Sequence, residues 1–292
     1  MTLLQQSNWH GLIAAYLFLG GLGGGVMALG ALADLFWQAN DAQADRRPAL
    51  FAGLAGMVAL GVGSLILVLD LVQPLAAIFA LSNFHSWITW GILFISLYFV
   101  AGILYVFPYL RKQRVAGPAQ RVAGIAAGIL GLLVSVYTGF LLSSSTGIPF
   151  WNTPALPLLF LVSGVSTGAA LLMLHLITLK SSPFAAHTLH LLERVDLGLV
   201  AFELLILFAF INMASAGNAG IKAGAQYLLG SVGFTVGVAL LGLLLPAILE
   251  AISIRKKQVS LTVAASVFVL IGGALLRIYV LQAGYFALPW LQ

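Results

Sequence analysis

The residues able to do chemistry are few in this chain. Asp34, Asp70, His175, Asp196, Glu203, Glu250 and Arg277 stand within or at the ends of long apolar runs, with His10 and His85 just outside them. An ionisable group inside a bilayer costs several kcal/mol, so each one is a candidate functional residue. Asp34, His175, Asp196 and Glu250 fall near run ends, where water or headgroups can solvate them and a structural role is the simpler reading. Asp70, Glu203 and Arg277 lie deeper. Asp196, Glu203 and Arg194, with Asp34, have the chemistry of a proton half-channel opening on one membrane face; a Glu203–Arg277 ion pair holding two helices together is the competing reading.

A second group gathers at the opposite face. Asn8-Trp9-His10, Asp70 to Pro74, Asn83 to Trp87, Tyr137 to Pro154 and Gln282 to Tyr285 converge there if the apolar runs cross a membrane in turn. A ring of aromatic, His, Asp and Tyr groups suits a quinone head group. Its carbonyls need hydrogen-bond donors, its ring needs apolar walls, and its two protons need a carboxylate or imidazole to exchange with. An ordinary aromatic belt would account for Trp9, Trp87, Trp90, Trp151 and Trp290, but not for Asp70.

The elements that position these groups follow from composition. Of 292 residues 61% are hydrophobic and 7% charged, whereas a soluble protein carries roughly a quarter charged residues. An all-α polytopic membrane protein is expected, with eight transmembrane helices near 11–37, 50–80, 87–109, 122–143, 154–179, 196–214, 227–250 and 260–283, each long enough to cross about 30 Å of hydrocarbon. The N-terminus has no basic residue before its first apolar run, so that run is read as a membrane helix rather than a secretory signal. Alternate loops hold Arg46, Arg47, Arg111, Lys112, Arg114, Arg121, Lys180, Arg194, Arg255, Lys256 and Lys257, whereas the other side has Lys222 alone. Positively charged loops stay inside, which places both termini in the periplasm of a cytoplasmic membrane. The net charge of +5 is thus a topology signal, and no nucleic-acid site is expected.

Cysteine is absent, which excludes an iron–sulfur cluster ligated by this protein. His175 is the single histidine within a span, so no bis-histidine haem is expected, and no His/Glu pair has the spacing of a metal site. His187 and His190 read as solvated residues of a charged loop. One internal echo stands out: Gly20-Gly21-Leu22-Gly23-Gly24-Gly25 and Ser163-Gly164-Val165-Ser166-Thr167-Gly168 match small residue for small residue. A parallel repeat of two four-helix halves would produce it, as would the general richness of membrane helices in Gly and Ser.

Longer motifs carry a family resemblance. Ser135-Val136-Tyr137-Thr138-Gly139-Phe140-Leu141-Leu142-Ser143, then Ile148 to Pro154, then Pro157 to Ala170 form a long and unusual run. Tyr16 to Gly21, Asp70-Leu71 with Pro74, Glu203, Leu276-Arg277 and Ala283-Gly284 add shorter matches from one end of the sequence to the other. On these the sequence resembles the NrfD/PsrC family of membrane subunits of respiratory oxidoreductases. The resemblance implies two four-helix bundles, here 1–145 and 146–292, with quinone or quinol (menaquinone or ubiquinone) bound at the outer face of the first. It also implies a periplasmic four-cluster iron–sulfur subunit and a molybdopterin catalytic subunit as partners.

Tyr137 matches the tyrosine that contacts quinone in the family, and Asp70 falls where several members have His before Leu-x-x-Pro. The Asn/His pair that members carry on the first helix has no exact counterpart, since His10 lies further out. The expected site is therefore Tyr137 and Asp70 as the reacting groups, inside a rim of Trp9, His10 and His85. Proton translocation would run through Glu203, Asp196, Arg194, Asp34 and Arg277. Two other functions remain open: a secondary transporter, disfavoured because the prolines sit near helix ends, and an inert anchor, which leaves Asp70 and Tyr137 unexplained.

Overall fold

A computed structural model describes residues 2–7, 9, 11–37, 45–70, 83–112, 117–179 and 183–288. Nearly all of them are helical, because in hydrocarbon a helix satisfies its own backbone hydrogen bonds. The helices are α1 (Gly11–Trp37), α2 (Arg47–Asp70), α3 (Trp87–Leu110), α4 (Pro118–Ser143), α5 (Ala155–Thr178), α6 (Pro183–Ser215), α7 (Ala219–Gly230), α8 (Leu245–Lys256) and α9 (Val259–Gln282), with a π-helical segment at Gly233–Leu244 running into α8. Eight stretches are long and apolar enough to cross a membrane, the seventh being Gly233–Lys256. The protein is an all-α, multi-pass membrane protein.

Local chemistry sets the helix ends. Ser86 caps α3 by accepting from Ile88 N at 3.2 Å, Asn218 caps α7 by accepting from Ile221 N at 3.1 Å, and Pro118 opens α4 where a missing N–H costs nothing. The π-helical segment is rich in glycine. Leu245 N–H bonds back to Leu240 O, and Gly242 packs so closely on Gly272 of α9 that a Cβ on either would meet the other's backbone.

The second span, expected over 50–80, is described as far as Asp70, and the rest of it lies outside the described residues. Two expectations need adjusting. The sixth begins at Pro183 rather than 196, so His187, His190 and Arg194 lie on α6 and not in a loop. The reason is amphipathicity: Ala185, Thr188, Leu189, Leu192, Glu193 and Asp196 are buried while Ala186, His187, His190 and Arg194 are exposed, a helical repeat that a search for unbroken apolarity misses. The seventh does not run from 227; Ser231 ends α7 and a new segment starts at Gly233.

Packing centres on two helices. Buried residues make up 67% of the α1 span and 78% of the α5 span, against 28–44% of the others. α1 packs on α2, α4 and α5; α3 packs on α4; α5 packs on α6 and α9; and α9 packs on the π-helical segment and α8. The two sequence echoes meet at the α1–α5 contact. Gly21 faces Gly164 and Gly25 faces Gly164 and Gly168, so the register advances together and the helices run parallel.

The two termini meet as well. β1 (Thr2–Gln5) pairs antiparallel with β2 (Tyr285–Leu288), and Gln6 ties the N-terminal strand down through Gly284 O, Leu281 O and Trp9 O. Connectivity places the Arg- and Lys-bearing turns at the other side of the molecule. The molecule thus has a terminal end and a basic end.

Candidate functional site

At the terminal end, the α4 motif Tyr137-Thr138-Gly139-Phe140 takes part in a packed aromatic cluster. Tyr137 is almost wholly buried, and its phenol occupies the space that Gly91 of α3 leaves open, so that a Cβ there would overlap the ring. Gly139 in the same motif lies directly on Pro157 at the start of α5. Facing Tyr137 from α1 is Tyr16, fully buried, whose hydroxyl has no hydrogen-bond partner among the described residues. Two phenol hydroxyls thus face one another inside an apolar shell.

Stacked rings make the walls. Trp87 lies parallel to Phe140 with centroids 4.4 Å apart, and Trp9 tilts against Trp151 at 5.4 Å. Trp151 is held by donating its Nε1–H to Val280 O at 2.8 Å. Trp9, Trp87 and Leu67, one turn before Asp70, all pack against the cluster that contains Tyr16 and Tyr137.

The sequence-selected residues fall as follows. Tyr137, Trp9 and the end of α2 share this cluster; Asp70 is half-buried at the helix end. His85 is exposed on the 83–86 turn, its backbone N–H donating to Asn83 Oδ1. His10 lies outside the described residues. Sequence reasoning gave Tyr16 only a minor place and did not single out Gly91; both matter through tertiary contact with Tyr137.

A second polar system runs through the other half of the molecule. Arg277 of α9 is fully buried and donates to Ser163 Oγ at 2.5 Å, Gly273 O at 2.9 Å and Phe160 O at 3.3 Å. Glu203 of α6 faces the same Ser163 hydroxyl and feels the guanidinium charge. Among the described residues, however, no direct ion pair joins Glu203 to Arg277; the pairs are Arg46–Asp34, Arg47–Asp45 and His190–Glu193.

Two turns towards the basic end, Asp196 faces Ser166 and Glu250. One turn further, Glu193 accepts from Ser253 Oγ at 3.0 Å and Thr262 Oγ1 at 2.5 Å, and pairs with His190 Nδ1 at 3.1 Å. The result is a stepped column of buried groups: Arg277, Ser163, Glu203, Asp196, Ser166, Glu250 and Glu193. Both carboxyl oxygens of Asp196 and of Glu250 are buried without a hydrogen-bond partner among the described residues.

Two of the residues grouped with this column in the sequence reading stand apart. Arg194 is exposed on α6. Asp34 is buried in the first half of the molecule, where it accepts from Arg46 Nη1 at 2.6 Å, Tyr105 at 2.9 Å and Tyr109 at 2.5 Å. Glu193 takes a place that sequence reasoning missed, since its context looked like a charged loop. Spacing from Asp196 by one helical turn was the available signal.

No group of three or more His, Cys, Asp or Glu side chains able to hold a metal ion occurs among the described residues.

Residues 2–289 match the family model described as polysulphide reductase, NrfD. The C subunit of polysulfide reductase from Wolinella succinogenes is 30% identical over 96% of both proteins. Protein NrfD of Escherichia coli K12 is 31% identical over 94% of both, and the NrfD homolog of Haemophilus influenzae is 28% identical over the same share. With almost every residue of its membrane spans inside the match, the chain belongs to the NrfD polysulphide reductase family.

Proposed function

We propose that the protein is the quinone-reactive membrane subunit of a respiratory oxidoreductase, binding quinone or quinol at the terminal end of its first four spans. The observation that carries this reading is the facing pair of buried hydroxyls, Tyr16 and Tyr137, between the Trp87–Phe140 and Trp9–Trp151 ring pairs. The name of one relative, a polysulfide reductase subunit, agrees with it. The bias of Lys and Arg to the basic end supports a terminal end facing the periplasm from the cytoplasmic membrane.

A quinone, when bound, supplies two-electron, two-proton redox chemistry. The protein's own groups do the rest. Tyr137 donates its hydroxyl proton in a hydrogen bond to a ring carbonyl, and Tyr16 orients that hydroxyl. The tryptophan and phenylalanine rings exclude water and flank the ring face. Asp70, half-buried at the end of α2, exchanges protons with the aqueous side. Having no cysteine to ligate a cluster of its own, the protein exchanges electrons with a periplasmic iron–sulfur subunit, and through it with a molybdopterin catalytic subunit.

Replacing Tyr137 by Phe tests this directly. Quinone-linked turnover should fall about a hundredfold or more, while complex assembly and activity with an artificial electron donor persist. Equal loss of both activities would sink the assignment.

The buried column favours a second element of the same function. Glu203, Asp196, Glu250 and Glu193, with Arg277 at its inner head, form a proton route from the basic end towards the middle of the membrane. Asp34 and Arg194 have other surroundings and are left out of it.

A further inference from the structure

A cavity of about 450 Å³ opens at the basic end between the end of α5, the first turns of α6 and the α8–α9 junction. Its lining is apolar, chiefly Leu176, Leu179, Ala185 and Leu189, with Lys257 and His190 as its polar members. An apolar slot with a lysine in its lining at the edge of a membrane span matches one class of ligand in both of its parts.

The backbone at Lys257 adds an independent observation. Lys257 closes α8 in the left-handed region, with φ 53° and ψ 41°, its N–H bonding Ser253 O. That helix-ending position normally takes Gly or Asn, because a Cβ there costs roughly 1 kcal/mol. Lys257 lines the cavity from this position, with Arg255 and Lys256 exposed beside it. The nearby Glu193 carboxylate is buried and turned to Ser253, Thr262 and His190.

We propose that this cavity binds an anionic phospholipid of the basic-end leaflet, with its phosphate on Lys257 and one acyl chain along the apolar wall. The site lies away from the Tyr16–Tyr137 cluster, so it stands or falls separately from the quinone assignment, and it abuts the foot of the buried column through His190, which pairs with Glu193. A lipid wedged there would join α5, α6 and α9, three helices that also build the column.

Native mass spectrometry of the purified complex with added phosphatidylglycerol or phosphatidylcholine tests the proposal. Wild type should retain phosphatidylglycerol in preference. Lys257→Gln should lower that retention about fivefold, the loss expected for one basic contact at an anionic headgroup. Lys256→Gln on the same turn should leave it in place, and Ala186→Trp, filling the slot, should remove it. Equal retention of the two lipids, or equal effects of the Lys256 and Lys257 changes, would overturn the proposal by reducing the site to diffuse surface charge. Displacement by inorganic phosphate with no effect of Ala186→Trp would overturn it as well, leaving a simple anion site.

Discussion

Arg277 donates to the Ser163 hydroxyl at 2.5 Å, at the level where α1 and α5 touch through glycine. Its other terminal nitrogen stands 3.2 Å from the place a Cβ on Gly21 would occupy. One fully buried guanidinium therefore sits where α9, α5 and α1 meet. The small residues of the two echoing motifs serve two ends here: they let backbones approach, and they leave room for a charge between the two halves of the molecule.

Gly164 is the position to disturb first. A Cβ there would stand 3.1 Å from both Cα and O of Gly21, and backbone cannot move aside as a side chain can. Gly164→Val should separate α1 from α5 and destabilise the protein by about 1–3 kcal/mol, read as a lower melting temperature of the purified complex. A variant as stable as wild type would show that this contact is looser than its geometry implies.

Gly91→Ala probes the quinone site without removing any functional group. The added methyl must push the Tyr137 phenol out of its place. A displacement of about 1 Å in a positioned reacting group costs on the order of a hundredfold in rate, so quinone-linked turnover should fall steeply while artificial-donor activity survives. Turnover near the wild-type rate would mean that the phenol position is immaterial.

Tyr16→Phe separates orientation from contact. Because Tyr16 faces Tyr137 and its hydroxyl is buried without a hydrogen-bond partner among the described residues, its loss should weaken quinone-linked turnover by less than Tyr137→Phe does. Steady-state assays of both variants in the intact complex check the order. A larger effect at Tyr16 would reassign the direct contact to it.

Glu203→Gln and Asp196→Asn address the buried column. Both keep the shape of the side chain and remove its ability to carry a proton. In proteoliposomes they should abolish proton uptake from the basic-end compartment while detergent-solubilised quinone chemistry continues. Unchanged coupling in both would exclude a required relay and leave a structural network around Arg277.

Asp34→Ala should behave differently. It strips the acceptor from Arg46, Tyr105 and Tyr109 at once, and removing one partner of a buried ion pair costs about 3–5 kcal/mol. Thermal unfolding should show that loss, with the remaining folded protein retaining its catalytic rate. A stable but inactive variant would move Asp34 back into the proton route.

Much of this protein is legible in one dimension because lipid imposes a one-dimensional rule. A span must be apolar and about 20 residues long, so Gly11 to Trp37 and Val259 to Gln282 could be read directly, as could the bias of Lys and Arg to alternate loops. Tyr137 and the small-residue motifs were visible as well, because their spacing is local. The same rule explains the error at α6: Pro183 to Val195 is helical on account of one buried face, and its His, Glu and Arg residues conceal that from any measure of unbroken apolarity.

Tertiary structure decided the partnerships. Asp34, Asp196, Glu203 and Arg194 are grouped by the sequence as charged residues in or beside apolar spans, yet they end in different surroundings. Asp34 meets Arg46 and two tyrosines, Glu203 and Asp196 join a column with Glu250 and Glu193, and Arg194 faces outwards. The order of helices along the sequence does not say which faces meet. That choice is made where Gly21 and Gly25 come close enough to Gly164 and Gly168 to lock α1 against α5, and every buried group then takes its partner from the helix that this contact brings opposite.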